Sequence, residues 1–174
     1  MSKNFDNIKF GADLHLGHKN VHKFRTQFKT AEEHHQTVFE NFATNINKRD
    51  VVYFLGDVAF DKEWLAMIGS IRCLKKVLVL GNHDTEHLHI KYLTEHFDHI
   101  HGLFSFKNLW LSHCPVHPDE MRRKIANIHG HIHFHNIEDK RYVNVSLEQI
   151  NYKPVTLTSI YDILEERGSM SWKI

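Results

Sequence analysis

Short apolar runs that stop abruptly at polar residues alternate with longer stretches whose apolar positions recur every three or four residues. The segment "NIKFGAD", Asn7 to Asp13, reads as a buried strand with Asp13 at its carboxyl end. "VVYFL", Val51 to Leu55, is β-branched and aromatic, which predicts a second buried strand, and "GD" follows at once. "KVLVL", Lys76 to Leu80, predicts a third, closed by "GNHD". Between them the period changes. "TAEEHHQTVFENFATNINK" is helical, with Thr30 and Glu33 as a capping box and Val38, Phe39, Phe42, Ala43 and Ile46 as one apolar stripe. Asp61 caps a second helix carrying Trp64, Leu65 and Ile68, and a third runs through Ile90, Leu93 and Phe97.

From His99 the pattern shortens. "HIHGLFSF", "NLWLSH", "NIHGHIHFH" and "RYVNVSL" predict strands joined by turns, with one helix around "PDEMRRKIA" and a last one in "LTSIYDILEERG", stopped by Gly168. No repeat or proline-rich linker interrupts the series. One layered α/β (α+β) domain over residues 1–174 is expected.

Composition changes this picture little. The chain has 174 residues, 41% of them hydrophobic and 25% charged, ordinary for a soluble globular protein. A net charge of +1 gives no footprint for duplex nucleic acid or a membrane surface. "MSKNFDNIKFGAD" holds no apolar run of signal-peptide or membrane-spanning length. Cys73 and Cys114, the only cysteines, read as reduced thiols in a cytoplasmic compartment, with a disulfide still open. The departure is histidine, with 17 residues, and that directs attention to metal chemistry.

Ligands in layered α/β folds bind beyond the carboxyl ends of strands. There the sequence places Asp13 and His15, Asp57, Asn82, His83 and Asp84, His113, and His131 with His133. Oxygen and imidazole nitrogen together suit manganese, iron, zinc or nickel better than calcium or an all-thiolate zinc site. Asp13 and His15 lie two residues apart, as do His131 and His133, so in extended segments each pair points one way and can share a cation. Gly130 lets backbone approach closely. Taken singly, each piece has a plainer reading: a strand end with a helix cap, a turn after "VVYFLG", a tight turn at "GNHD". His129 and His135 read as solvated or supporting residues, and His34, His35, His87 and His89 as exposed helix positions. "MRRK" reads as a solvated helix face and Cys114 as a packed bystander.

In order, "DLH" at 13–15, "GD" at 56–57, "GNHD" at 81–84, "H" at 113 and "GHIH" at 130–133 resemble the calcineurin-like metallophosphoesterase superfamily over most of the chain. The resemblance implies a four-layer αββα sandwich of two mixed sheets flanked by helices, without a cap domain. It also implies two divalent cations, manganese first, with iron, zinc or nickel able to serve. Asp13, His15 and His133 would hold one, Asn82, His113 and His131 the other, and Asp57 both. Cations about 3.5–4 Å apart activate a bridging hydroxide for in-line attack on phosphorus. His83 would protonate the leaving oxygen or steady the phosphoryl group, with Asp84 fixing its ring. Asn82 and His83 would contact substrate. Apart from the resemblance, His18 in "HLGHKN" lies three residues past His15 and is placed to reach substrate phosphate.

Departures narrow the branch. After "GD" the chain reads "VAF", where protein serine/threonine phosphatases carry an arginine-bearing pattern, and it has "GNHD" where they have "GNHE". It is too short for the cap and DNA-binding domains of double-strand-break nucleases. "NYKPV" before a final helix is similar to small single-domain bacterial and phage members. The expected activity is hydrolysis of a phosphodiester in a small nucleotide or cyclic nucleotide, with no duplex nucleic acid or membrane as partner and a homodimer left open. A phosphomonoesterase is the alternative, and a non-catalytic interaction module a remoter one, opposed by the full ligand set and His83.

Overall fold

A strand that is apolar at every position can be stable only if both its faces are covered. The computed structural model, which describes residues 5–169, meets that condition with two adjacent cores. The first sheet has the order β4-β3-β2-β1-β9, where β1 is Ile8–Gly11, β2 Val51–Phe54, β3 Lys75–Val79, β4 His99–His101 and β9 Val155–Thr156. Its strands run parallel except β9, which pairs antiparallel with β1. Val52, Phe54 and Leu78 face one core, while Phe10, Tyr53, Leu55, Val77 and Val79 face the other. The period of two in each run therefore feeds both sides of the sheet.

Helices α1 (Ala31–Asn45), α2 (Lys62–Ser70) and α3 (Ile90–Thr94) follow the strands. Val38 and Phe42 of α1, Leu65 and Ile68 of α2 and Leu93 of α3 close the first core. Their starts follow the capping chemistry of the sequence: Thr30 accepts from Glu33 N–H at 3.0 Å and Asp61 from Trp64 N–H at 2.9 Å.

The second sheet has the order β5-β6-β7-β8, with β5 Leu103–Phe106, β6 Leu109–Ser112, β7 Ala126–His129 and β8 Tyr142–Asn144. Only β5 runs antiparallel to its neighbour. Leu109, Leu111, Ile128 and Val143 pack against the first sheet, and Leu157, Ile160 and Leu164 of α4 (Leu157–Glu166) complete this core. The result is an α/β sandwich of two mixed sheets with flanking helices. Three details differ from the sequence reading. Gly102 splits "HIHGLFSF" into two strands in different sheets, "PDEMRRKIA" forms only a 3-10 turn at Pro118–Arg123, and the strand in "NIHGHIHFH" stops at His129. Among the described residues no helix is long and apolar enough to cross a membrane, and Cys73 and Cys114 are free thiols.

Candidate metal centre

Beyond β1 and β2 the two chains stay paired. Asp13 N–H donates to Gly56 O and His15 N–H to Asp57 O, each at 3.0 Å. The backbone here is not extended. Asp13 (φ 59°), His15 (49°) and Asp57 (54°) are left-handed, as are His131 (71°) and His133 (46°) beyond β7. The alternation expected for Asp13/His15 and His131/His133 is thus replaced by left-handed residues alternating with ordinary ones. Each such residue costs about 1–3 kcal/mol and is held by its surroundings. Gly130 is part of that hold: a Cβ there would lie 2.5 Å from Asp13 Oδ2, which accepts His131 N–H at 2.8 Å.

The seven side chains singled out as ligands come together. His15 Nε2 lies 3.7 Å from both Asp13 Oδ1 and Asp57 Oδ2, and His133 Nε2 lies 3.8 Å from Asp13 Oδ1. On the other side, His113 Nε2 is 3.3 Å from Asp57 Oδ2 and 3.1 Å from Asn82 Oδ1, and His131 Nδ1 is 3.2 Å from His113 Nε2. Asp57 therefore touches both groups. The ligand atoms of Asp13, His15 and His133 all lie within 4.8 Å of one another, as do those of Asp13, Asp57 and His113.

These residues fit a pair of divalent cations on their own chemistry. Among the described residues, Asp13 Oδ1 and His15 Nε2 are buried with no hydrogen-bond partner, a state that costs about 1–3 kcal/mol per group unless something else binds them. Tautomers agree. His113 Nδ1 donates to Leu55 O at 2.8 Å and His133 Nδ1 to Glu148 Oε1 at 3.0 Å, which turns each Nε2 toward the centre. Charge is balanced locally as well. Burial opposes ionisation of Asp13, yet the imidazoles of His15, His113 and His133 carry its pKa well below the usual carboxylate range. Burial likewise opposes a charge on His113, but Asp57 and Asp13 raise its pKa to about 9. His15 and His131 are shifted down, chiefly by burial.

A layer behind the first group escaped the sequence reading. Buried Arg25 donates to Glu148 Oε1 at 2.8 Å, to Asp13 O at 2.6 Å and to Leu14 O at 3.3 Å. Its Nη1 also lies 2.8 Å from His34 Nε2, and His34 Nδ1 lies 3.0 Å from His35 Nδ1. Arginine only donates, so His34 accepts from it and passes its own N–H to His35. Burial and the Arg25 charge bring His34 down to about 2, and burial brings His35 down to about 4. The expectation that these two histidines are exposed is wrong: they are 0% and 4% exposed and form the buried start of α1. His87 and His89 are exposed.

His83 donates its backbone N–H to Asp57 Oδ1 at 2.9 Å, and its ring packs beside Phe60 with centroids 5.3 Å apart. Asp84 does not fix that ring. Its buried carboxylate accepts the backbone N–H groups of Asp57, Val58 and Gly81, so it shapes the chain on which Asp57 stands. Burial, against those bonds, raises its pKa. Glu86 takes the place expected for Asp84, with Oε2 2.5 Å from His83 Nδ1. Cys114 is exposed rather than packed, and its Sγ lies within 4.8 Å of ring nitrogens of His113 and His131. His129 is buried with Nδ1 on Gly130 O, while His135 is exposed.

Cavities flank the centre on two sides. A chamber of about 810 Å³ touches His15, His18, His83, His131 and His133. A cleft of about 390 Å³ touches Asn82, His113 and Cys114 on the other side. His18 lies on the chamber wall, its ring 6.2 Å from that of His15.

Comparison with known proteins places the chain in a family. The model of the calcineurin-like phosphoesterase family matches residues 7–174. An uncharacterized protein of Methanocaldococcus jannaschii is 29% identical over 166 residues, 89% of each chain. The Gene 66 protein of Mycobacterium phage L5 is 36% identical over 85 residues, 47% of this chain and 41% of that protein. A crystal structure of a protein of unknown function from Aquifex aeolicus superposes with a TM-score of 0.71 at 25% identity, covering 90% of this chain and 98% of the other.

Proposed function

The chain belongs to the calcineurin-like phosphoesterase family of metal-dependent phosphoester hydrolases, and on that premise we propose that it cleaves phosphodiester bonds in a nucleotide or cyclic nucleotide. The observation that carries the reading is the sharing of Asp57 between two adjoining ligand groups, one of which holds two buried, unpartnered polar atoms. Asp13, His15 and His133 would hold one cation, Asn82, His113 and His131 the other, with manganese the preferred metal. Bound there, the pair supplies Lewis acidity toward the phosphate oxygens and the attacking water.

The remaining work falls to the chain itself. With Glu86 on Nδ1, His83 keeps Nε2 free to give a proton to the leaving oxygen. Its backbone bond to Asp57 fixes where that proton is delivered. Asp84 acts one step away, ordering the backbone of Asp57 and Val58. Cavities on both sides of the centre favour a diester over a monoester, because a diester has two arms to accommodate.

The test compares an aryl phosphodiester with the matching monoester on chelated and manganese-restored protein. Manganese should restore turnover, with kcat/KM higher for the diester. Restored turnover confined to the monoester would replace this reading by a phosphomonoesterase. No turnover of either ester would remove hydrolysis altogether.

A further inference from the structure

The larger cavity is walled by aromatic rings in series. Phe24 lies 6.2 Å from His18, His18 lies 4.9 Å from Phe60, and Phe60 lies 5.3 Å from His83, all between ring centroids. From a distant part of the chain, Phe134 and Ile137 reach the same chamber. Phe24 is 70% exposed and Phe134 60% exposed. Single exposed apolar side chains are common, but two large ones meeting at one chamber beside a metal centre mark a binding surface.

Neither ring hangs on a loose loop. Asn144 Nδ2 donates to His133 O and His135 O, each at 2.9 Å, and Gln149 Nε2 donates to His133 O at 2.9 Å, so Phe134 stands on pinned backbone. Phe24 precedes buried Arg25, whose bonds to Asp13 O and Glu148 anchor that turn. The chamber has the volume of a pocket for a nucleoside-sized group.

Orientation follows from His83. It lines the chamber and does not line the cleft on the Asn82 side. A proton from His83 is therefore delivered on the chamber side. Resting on the phosphodiesterase reading, we infer that the chamber takes the leaving arm of the diester and that this arm is a nucleoside whose base packs on Phe24 and Phe134. The bond from water oxygen to phosphorus forms and the bond to the nucleoside oxygen breaks, with its electron pair leaving on that oxygen. His83 protonates it, and the attacking water loses one proton to solvent, from which His83 is restored. The inference concerns a linear diester, whose products are a free nucleoside and a monoester of the other arm.

Thymidine 5′-methyl phosphate tests the direction, because methanol and the nucleoside hydroxyl are comparable leaving groups. Manganese-loaded protein should release thymidine and methyl phosphate in about tenfold excess. Excess methanol and thymidine 5′-phosphate, or an even split, overturns the proposal. A second measurement needs no turnover: calorimetry of thymidine 5′-phosphate against methyl phosphate on the manganese-loaded protein. The nucleotide should bind about tenfold more tightly, a stacking-sized preference. Phe24→Ala with Phe134→Ala should erase it while the melting temperature stays near that of the parent. Equal affinities in the parent overturn the proposal whatever the esterase assay gives. A binding preference without hydrolysis of any diester would instead sink the phosphodiesterase reading and leave the base platform standing.

Discussion

The two halves of the centre are supported by different materials. Behind Asp13, His15 and His133 stand side chains: Glu148, Arg25, His34 and His35, joined in one buried chain of hydrogen bonds. Behind Asn82, His113 and His131 stands mostly backbone: the Leu55 carbonyl on His113 and the N–H groups gathered by Asp84. Exposure differs too, for Asn82 and His131 face solvent while Asp13 is sealed. On the proposed metal assignment, a cation in the first half should be tied to the integrity of the fold, and one in the second should exchange more readily. Replacing groups on each side should separate these behaviours.

The largest effect is expected where the halves meet. Asp57→Ala removes the carboxylate common to both, so turnover should fall by about a thousandfold or more, with metal content measured by mass spectrometry falling on both sides. Retention of two tightly bound ions would break the idea of a shared residue. Glu148→Gln weakens only the first half. It keeps the shape of the side chain but loses the charge facing His133 and Arg25, and metal affinity should drop about 10–100-fold in one of two binding phases. Equal loss in both phases would show that the halves share their support.

The smallest effect is on stability. In the folded protein His34 and His35 are shifted down from 6.5 to about 2 and about 4. Protons then prefer the unfolded chain between those values and 6.5, so the stability they contribute is complete above pH 6.5 and lost as pH falls below it. Chelated protein should lose about 1 kcal/mol per pH unit per ring between pH 6 and pH 5, by denaturant titration. His34→Gln should flatten that slope. A slope unchanged by the substitution would mean that the pair is not held neutral.

The same contrast separates what was legible in the sequence from what was not. The candidate ligands are legible because each sits in a short string at a strand end, where identity and spacing carry the information. Their supports are not. Arg25 and Glu148 are 123 residues apart and neither belongs to a periodic stripe or a metal-like spacing. His34 and His35 misled because a polar residue on a helix is assigned to water unless a buried partner is known, and that partner is Arg25. The spacing of two in "DLH" and "HIH" points to side chains that do converge, but through a different backbone, since alternating left-handed residues bring every second side chain together as well. The sequence favours Asp84 over Glu86 because Asp84 adjoins His83, yet the adjacent carboxylate turns inward while the one three residues on reaches the ring.

That left-handed backbone has a bearing on engineering. Five of the seven candidate ligand positions carry conformations that an ordinary strand would relax away from. Grafting the short strings onto another β-scaffold would therefore transplant the letters without the bends, and the donor atoms would splay. A successful transplant would have to carry the paired segments after β1 and β2 together with the segment after β7 that begins at Gly130, as a single piece.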